Sequence, residues 1–122
     1  MIGEIWTYVA TKPNDGTLKV RPVLIVGDDS DNLLKYVDIH YVIISSSALC
    51  GKYDIELSEE IALKIGLKGK SVIKTTKLYT GTKSKLGSKI SELPDDIKKE
   101  FIEKYKSYQT NLINKMELVD CN

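Results

Sequence analysis

The apolar positions of this chain alternate in short bursts before settling, near the end, into one long helical period. From Gly3 to Val9, Ile5, Trp6, Tyr8 and Val9 are interleaved with Glu4 and Thr7, a strand pattern. Ala10 to Val20 holds Lys12-Pro-Asn-Asp-Gly-Thr17, a cluster of turn residues, and predicts a loop. Pro22-Val-Leu-Ile-Val26 is continuous, apolar and mostly β-branched, as in a buried strand. The run Gly27-Asp-Asp-Ser-Asp-Asn32 predicts a turn. A strand from Val37 to Ile44 then stops at Ser45-Ser46-Ser47. Tyr53 to Leu57 sets Tyr, Ile and Leu against Asp54 and Glu56, a half-buried strand.

Ser58 offers an N-cap to Glu59–Ile65, with two acids in the first turn and Gly66 as a stop, so a short helix follows. Ser71 to Thr80 reads as a strand, Gly81 and Gly87 bracket a polar connection, and Lys89-Ile90 reads as a brief last strand. After Pro94, with Asp95 and Asp96 suited to the positive end of a helix, Ile97, Phe101, Tyr105, Tyr108 and Leu112 form one apolar stripe. No pattern continues past Lys115, which predicts a loose tail over 115–122. The sum is a mainly β fold: a small, strongly curved sheet or partly open barrel with a C-terminal amphipathic helix, in one domain over 1–122 with its core in 3–112.

Composition narrows the setting. The chain has 122 residues, 13.7 kDa, no long apolar run and no signal pattern at its start, so a cytoplasmic protein without a membrane span is expected. Two distant cysteines, Cys50 and Cys121, exclude a disulfide framework, and one histidine with scattered acids builds no metal site, so no metal or cofactor is expected. Net charge is +1, yet Ile61 to Lys89 carries eight lysines and no acid. A basic segment on an otherwise acidic chain points to a polyanion, or to a solvated lysine face.

Arg21 is the one arginine among 18 basic residues. Its planar fork binds phosphate or carboxylate in a way lysine cannot copy, unless it only closes a structural ion pair at the strand's start. Ser45, Ser46 and Ser47 put hydroxyls at a strand end, where closing a turn is their commonest role. Between Lys74 and Lys85, lysines and hydroxyls surround Tyr79. Lys74, Lys77 and Thr80 suit phosphates and Tyr79 suits a stacked base, although a lysine-defended edge strand looks similar. His40 shares a strand face with Asp38, Val42 and Ile44 and reads as structural. Cys50, in a turn, has no activating neighbour, and 27–32 lacks the layout of a calcium loop.

Taken in order, these pieces resemble the MazF/PemK family of toxin endoribonucleases. The resemblance rests on Gly3-Glu-Ile-Trp6, a Pro/Gly loop, Arg21-Pro-Val-Leu-Ile-Val26, a strand ending in Ser45-Ser46, then Ser71-Val72-Ile73 with Thr80 and a C-terminal helix. It implies an SH3-like barrel, a homodimer, a protein antitoxin, and cleavage of single-stranded RNA without a metal to a 2′,3′-cyclic phosphate and a 5′-hydroxyl. Arg21 then matches the catalytic arginine. Ser45 matches the catalytic threonine, with Ser46 the alternative if the register shifts by one. The loop from Ala10 to Val20 matches the loop gating the RNA groove, with Thr17 and Lys19 as RNA contacts. The chain departs from the family where acids are usual. Gly16-Thr-Leu-Lys-Val-Arg21 has none, Thr76, Lys77, Tyr79 and Thr80 stand where acidic, Gln and Arg-Thr residues are common, and the PemK-type Arg/Asp pair would fall on Lys74 and Thr76. No general base is named by the residues, since a guanidinium has no free lone pair to accept a proton. A non-catalytic RNA- or protein-binding module on this fold and a CcdB-type gyrase-directed toxin are the competing expectations.

Overall fold

The computed structural model describes residues 1–11, 15–28, 39–47 and 49–120. Expectations for Lys12–Asn14, most of the 27–32 turn, the strand start at 37 and 38, Asp38 and Cys121 lie outside the described residues. In chain order the elements are β1 (Glu4–Thr11), β2 (Leu18–Asp28), β3 (Ile39–Ser45), β4 (Ile55–Leu57), α1 (Glu59–Lys64), β5 (Ser71–Gly81), a 3₁₀ turn (Lys83–Lys85), β6 (Leu86–Glu92) and α2 (Asp95–Asp120). The strands make one antiparallel sheet in the order β4-β5-β3-β2-β1-β6.

One face of the sheet carries Ile5, Leu24, Val42, Ile44, Ile55 and Ile73. Ala62, Ile65 and Leu67 from the α1 region and Ile97 and Phe101 from α2 close over it. Burying a ring such as Phe101 contributes about 1.5–3 kcal/mol, which is why the apolar stripe of α2 docks here. The other face holds a smaller cluster of Tyr8, Val23, Ile25, Ile39 and Tyr41. The sheet curls strongly. Tyr8 on β1 and Gly81 on β5 have two strands, β2 and β3, between them in the sheet, yet a Cβ on Gly81 would lie 2.5 Å from the Tyr8 hydroxyl. That hydroxyl accepts from the Thr82 amide at 3.4 Å. A break in pairing helps the strand turn. Val42 faces Leu78 but Ile43 faces Lys74, so Thr75–Lys77 bulge out of β5 and bend it.

Several boundaries differ from the sequence expectations. The arms of the 10–20 loop are strand, because Leu18, Lys19 and Val20 pair with Thr11, Ala10 and Val9. The strand expected from Tyr53 begins at Ile55, since Asp54 sits in a turn whose amide donates to the Gly51 carbonyl at 3.2 Å. The last strand spans Leu86–Glu92 because it pairs along β1 as a polar edge. The final helix continues past Lys115. It runs to Asp120, where no Pro or Gly interrupts it and Met116, Leu118 and Val119 stay exposed.

Candidate functional site

A cavity of about 460 Å³ opens where β2 begins, β3 ends and the connection from α1 enters β5. Arg21 and Pro22 reach it from β2. Pro22 has no N–H to give the sheet and stands opposite Thr7 of β1; Arg21 stands opposite Tyr8. Ser45, the last residue of β3, pairs with Val72, and Ser46 and Ser47 continue the rim. Leu67, Lys68 and Gly69, from the connection between α1 and β5, also line it.

The electrostatics are one-sided. Lys19, Arg21 and Lys68 line the cavity and no carboxylate does. Among the described residues the side chain of Arg21, half-buried, has no hydrogen bond and no ion pair. A half-buried guanidinium without a counter-charge attracts an anion, with five N–H donors in a fixed fork. The hydroxyls differ in how far they are already engaged. Ser71 Oγ donates to the Gly69 carbonyl at 2.8 Å, and Thr7 Oγ1 accepts from the Ser88 amide at 2.7 Å. Among the described residues Ser45 Oγ only accepts, from the Ser47 amide at 3.4 Å, so its proton is available to a ligand. Val20, Pro22, Ile44, Leu67 and Ile90 supply an apolar wall beside this polar rim.

The sequence candidates therefore separate. Arg21, Ser45, Ser46 and Lys19 come together at the cavity. Thr17 lies outside its lining. Its amide donates to the Asp15 carboxylate at 2.9 Å and its hydroxyl donates to the same oxygen, which holds Asp15 below the usual carboxylate range. Lys74, Lys77, Tyr79 and Thr80 also lie outside it, on β5. Lys74 Nζ is 2.6 Å from Asp54 Oδ2 and 3.0 Å from the Leu49 carbonyl, so its charge is matched before any RNA arrives. Tyr79 stacks on Tyr41, with centroids 5.7 Å apart and ring planes at 20°, and Tyr41 in turn meets Tyr8 at 4.6 Å. Burial, with the Tyr8 phenol beside it, pushes Tyr41 up to about 12. Thr80 Oγ1 lies 3.2 Å from His40 Nδ1, so the imidazole is engaged at the far end of β3 from Ser45, as a structural histidine would be.

Lys68, Ser71 and Thr7 are cavity residues that sequence reasoning did not select. The available signal was the run Gly66-Leu-Lys-Gly69 between a helix and a strand. Gly66 has φ +87°, and a Cβ there would lie 3.0 Å from Ile90 Cγ2. Only glycine fits that close turn without strain.

Among the described residues no three His, Cys, Asp or Glu side chains gather as a metal site, and no helix is long and apolar enough to cross a membrane.

The whole arrangement has relatives. The fold is similar to that of the Mycobacterium tuberculosis toxin MazF-mt6 (TM-score 0.62, 18% identity, 84% of this chain and 93% of that one). It is also similar to a structure described as an endoribonuclease in complex with its cognate antitoxin from Mycobacterial species (TM-score 0.64, 14% identity, 88% of this chain and 91% of that one). At these identities the likeness is one of fold. No curated protein sequence matches the chain. The family model for the PemK-like, MazF-like toxin of type II toxin-antitoxin systems matches residues 2–105, which takes in every strand, the cavity and the docked half of α2, and the chain belongs to that family.

Proposed function

We propose that this chain is the toxin of a toxin–antitoxin pair and cuts single-stranded RNA without a metal ion. The observation that carries the proposal is Arg21: a half-buried guanidinium with no counter-charge among the described residues, in a cavity with three serines at its rim and no acid in its lining. RNA brings its own nucleophile. The 2′-hydroxyl oxygen attacks the adjacent phosphorus, the P–O5′ bond breaks, and the products are a 2′,3′-cyclic phosphate and a 5′-hydroxyl. The proton lost from the 2′-oxygen is balanced by one gained at the 5′-oxygen. The protein's task is to align the phosphate and stabilise the charge growing on its non-bridging oxygens. Arg21 does the second. The Ser45 hydroxyl, with Ser46 as the alternative, donates to a phosphoryl oxygen or relays the proton. An antitoxin protein and a second copy of the chain are the partners that accompany this reading; the structurally similar endoribonuclease in complex with its cognate antitoxin supports the first.

A cavity lined without a carboxylate holds Mg²⁺ poorly, because that ion takes oxygen ligands and at least one carboxylate as a rule. The deciding experiment is incubation of the purified chain with a long single-stranded RNA in excess EDTA. Cutting there, with cyclic-phosphate ends, is the expected result, and cutting only on addition of Mg²⁺ or Mn²⁺ overturns the mechanism. The same lack of a carboxylate or imidazole in the lining favours a second reading, RNA binding without cleavage. Retention of intact RNA by a chain that never cuts it would select that reading.

A further inference from the structure

The eight lysines from Ile61 to Lys89 are not equivalent. Lys64 lies 3.7 Å from Glu60, Lys70 2.7 Å from Glu56, Lys74 2.6 Å from Asp54, and Lys89 3.0 Å from Glu4. Lys68 has no acid partner among the described residues, and it is the one member of the segment that lines the cavity.

Its loop is built to hold it there. Leu67 is buried in the main core beside Ala62 and Ile65, which turns the next side chain outward. The Leu67 amide donates to the Ala62 carbonyl at 2.9 Å and the Gly66 amide to the Leu63 carbonyl at 3.1 Å. The carbonyl end of α1, which would repel an anion, is thereby occupied by the loop's own amides. Ser71 Oγ ties the Gly69 carbonyl on the far side of the loop. Lys68 is thus a flexible cation on a fixed base, lining the same cavity as Arg21.

Charge counting shows what such a cavity takes. Lys19, Arg21 and Lys68 repel one another with no acid between them, and one phosphodiester brings a single negative charge. One phosphate at Arg21 leaves an excess of positive charge. We propose that the α1–β5 loop forms a second phosphate subsite, in which Lys68 is a positioning residue that holds a phosphate of the RNA next to the one seated at Arg21. This rests on the RNA-binding reading above, and it adds a third wall to the site beyond the β2 and β3 ends.

The test is read on binding, so it decides the subsite whether or not the wild type cuts. The probe is a 2′-deoxy-substituted single-stranded oligonucleotide, titrated at several salt concentrations with wild type, Lys68→Ala and Lys68→Arg. Lys68→Ala should weaken binding roughly three- to tenfold at low salt and flatten the log–log salt slope by about 0.7, the value for one phosphate on a single strand. Lys68→Arg should restore both. A dinucleotide with a single phosphate should bind wild type and Lys68→Ala alike, because it cannot reach the second subsite. Thermal unfolding should be unchanged, since the side chain makes no bond among the described residues. Wild-type binding matched by Lys68→Ala in affinity and slope overturns the subsite and leaves the proposed function standing. Failure of the wild type to bind any single strand overturns both.

Discussion

Lys74 Nζ approaches Asp54 Oδ2 to 2.6 Å, and the acid in this pair is 3% exposed. The same carboxylate oxygen accepts from the Gly51 amide at 2.8 Å, and Lys104 of α2 donates to the Asp54 carbonyl at 2.9 Å. The pair therefore joins β5, the turn before β4 and the last helix. Removing one partner of a buried ion pair leaves a charge without compensation, at a cost of about 3–5 kcal/mol. Lys74→Ala should lose that much in urea-induced unfolding, and Asp54→Asn combined with Lys74→Met should recover part of it. A change below about 1 kcal/mol in the single variant would show the pair to be solvated.

Arg21 carries the sharper functional prediction. Lysine at this position keeps the charge and loses the fork, so Arg21→Lys should cut RNA at least about a hundredfold more slowly, comparable to the loss of one oxyanion donor. Its unfolding should be unchanged, because Arg21 makes no ion pair among the described residues that the variant could break. Ser45→Ala should also slow cutting with the fold intact. A larger effect at Ser46→Ala would transfer the hydroxyl role one residue along the rim. Near-normal rates in Arg21→Lys would return the arginine to a structural role.

Much of this site was legible along the chain, and the reasons for the remainder are physical. Arg21 and the serines stand out because a lone arginine beside a buried strand and three hydroxyls at a strand end are local features. Lys68 was one of eight similar lysines. Glu60, Glu56, Asp54 and Glu4 match four of the others, three of those four contacts span fourteen to 85 residues of chain, and of the eight only Lys68 lines the cavity. The arms of the β1–β2 hairpin were hidden for another reason. Leu18 and Val20 are strand residues yet 70% and 60% exposed, so their pairing comes from backbone hydrogen bonds that leave no burial pattern. Asp54 was misassigned because its alternation with Ile55 mimics a strand while its carboxylate folds back on Gly51.

The β1–β6 edge gives a pH prediction with a built-in reporter. Glu4 accepts from the indole N–H of Trp6, the chain's single tryptophan, at 2.9 Å, and Lys89 faces its other oxygen at 3.0 Å. The indole bond first, and the lysine second, hold Glu4 below the usual carboxylate range, while Glu4 and then Glu92 hold Lys89 above the usual lysine range. A lowered acid stabilises the fold above its unfolded pKa near 4.5, and that contribution is lost as pH falls through the folded value. A raised base stabilises below about 10.5, and its contribution is lost as pH rises through the folded value. The clasp should hold throughout the neutral range. Trp6 fluorescence should change in a step below pH 4.5 that Glu4→Gln abolishes. A step of the same size in that variant would trace it to another acid.

The distal half of β5 offers the last test, because its candidates make different kinds of contact. Lys77 is exposed and has no acid partner among the described residues, so a phosphate contact there should appear in the salt dependence. Lys77→Ala should flatten the slope of single-strand binding by about 0.7. Tyr79 is 44% exposed, but Tyr41 already occupies one of its faces. A base can stack only on the outer face, as the last member of a ladder that begins at Tyr8. Tyr79→Ala should then lose about 1–3 kcal/mol of RNA affinity with the salt slope unchanged, and Tyr79→Phe, which keeps the ring, should lose little. The alanine variant also removes a contact from Tyr41, so its unfolding must be measured beside its binding. Equal losses in Tyr79→Phe and Tyr79→Ala would assign the contact to the hydroxyl. Unchanged affinity and slope in all three variants would make this stretch a solvated edge and leave the cavity at Arg21 as the RNA-binding surface.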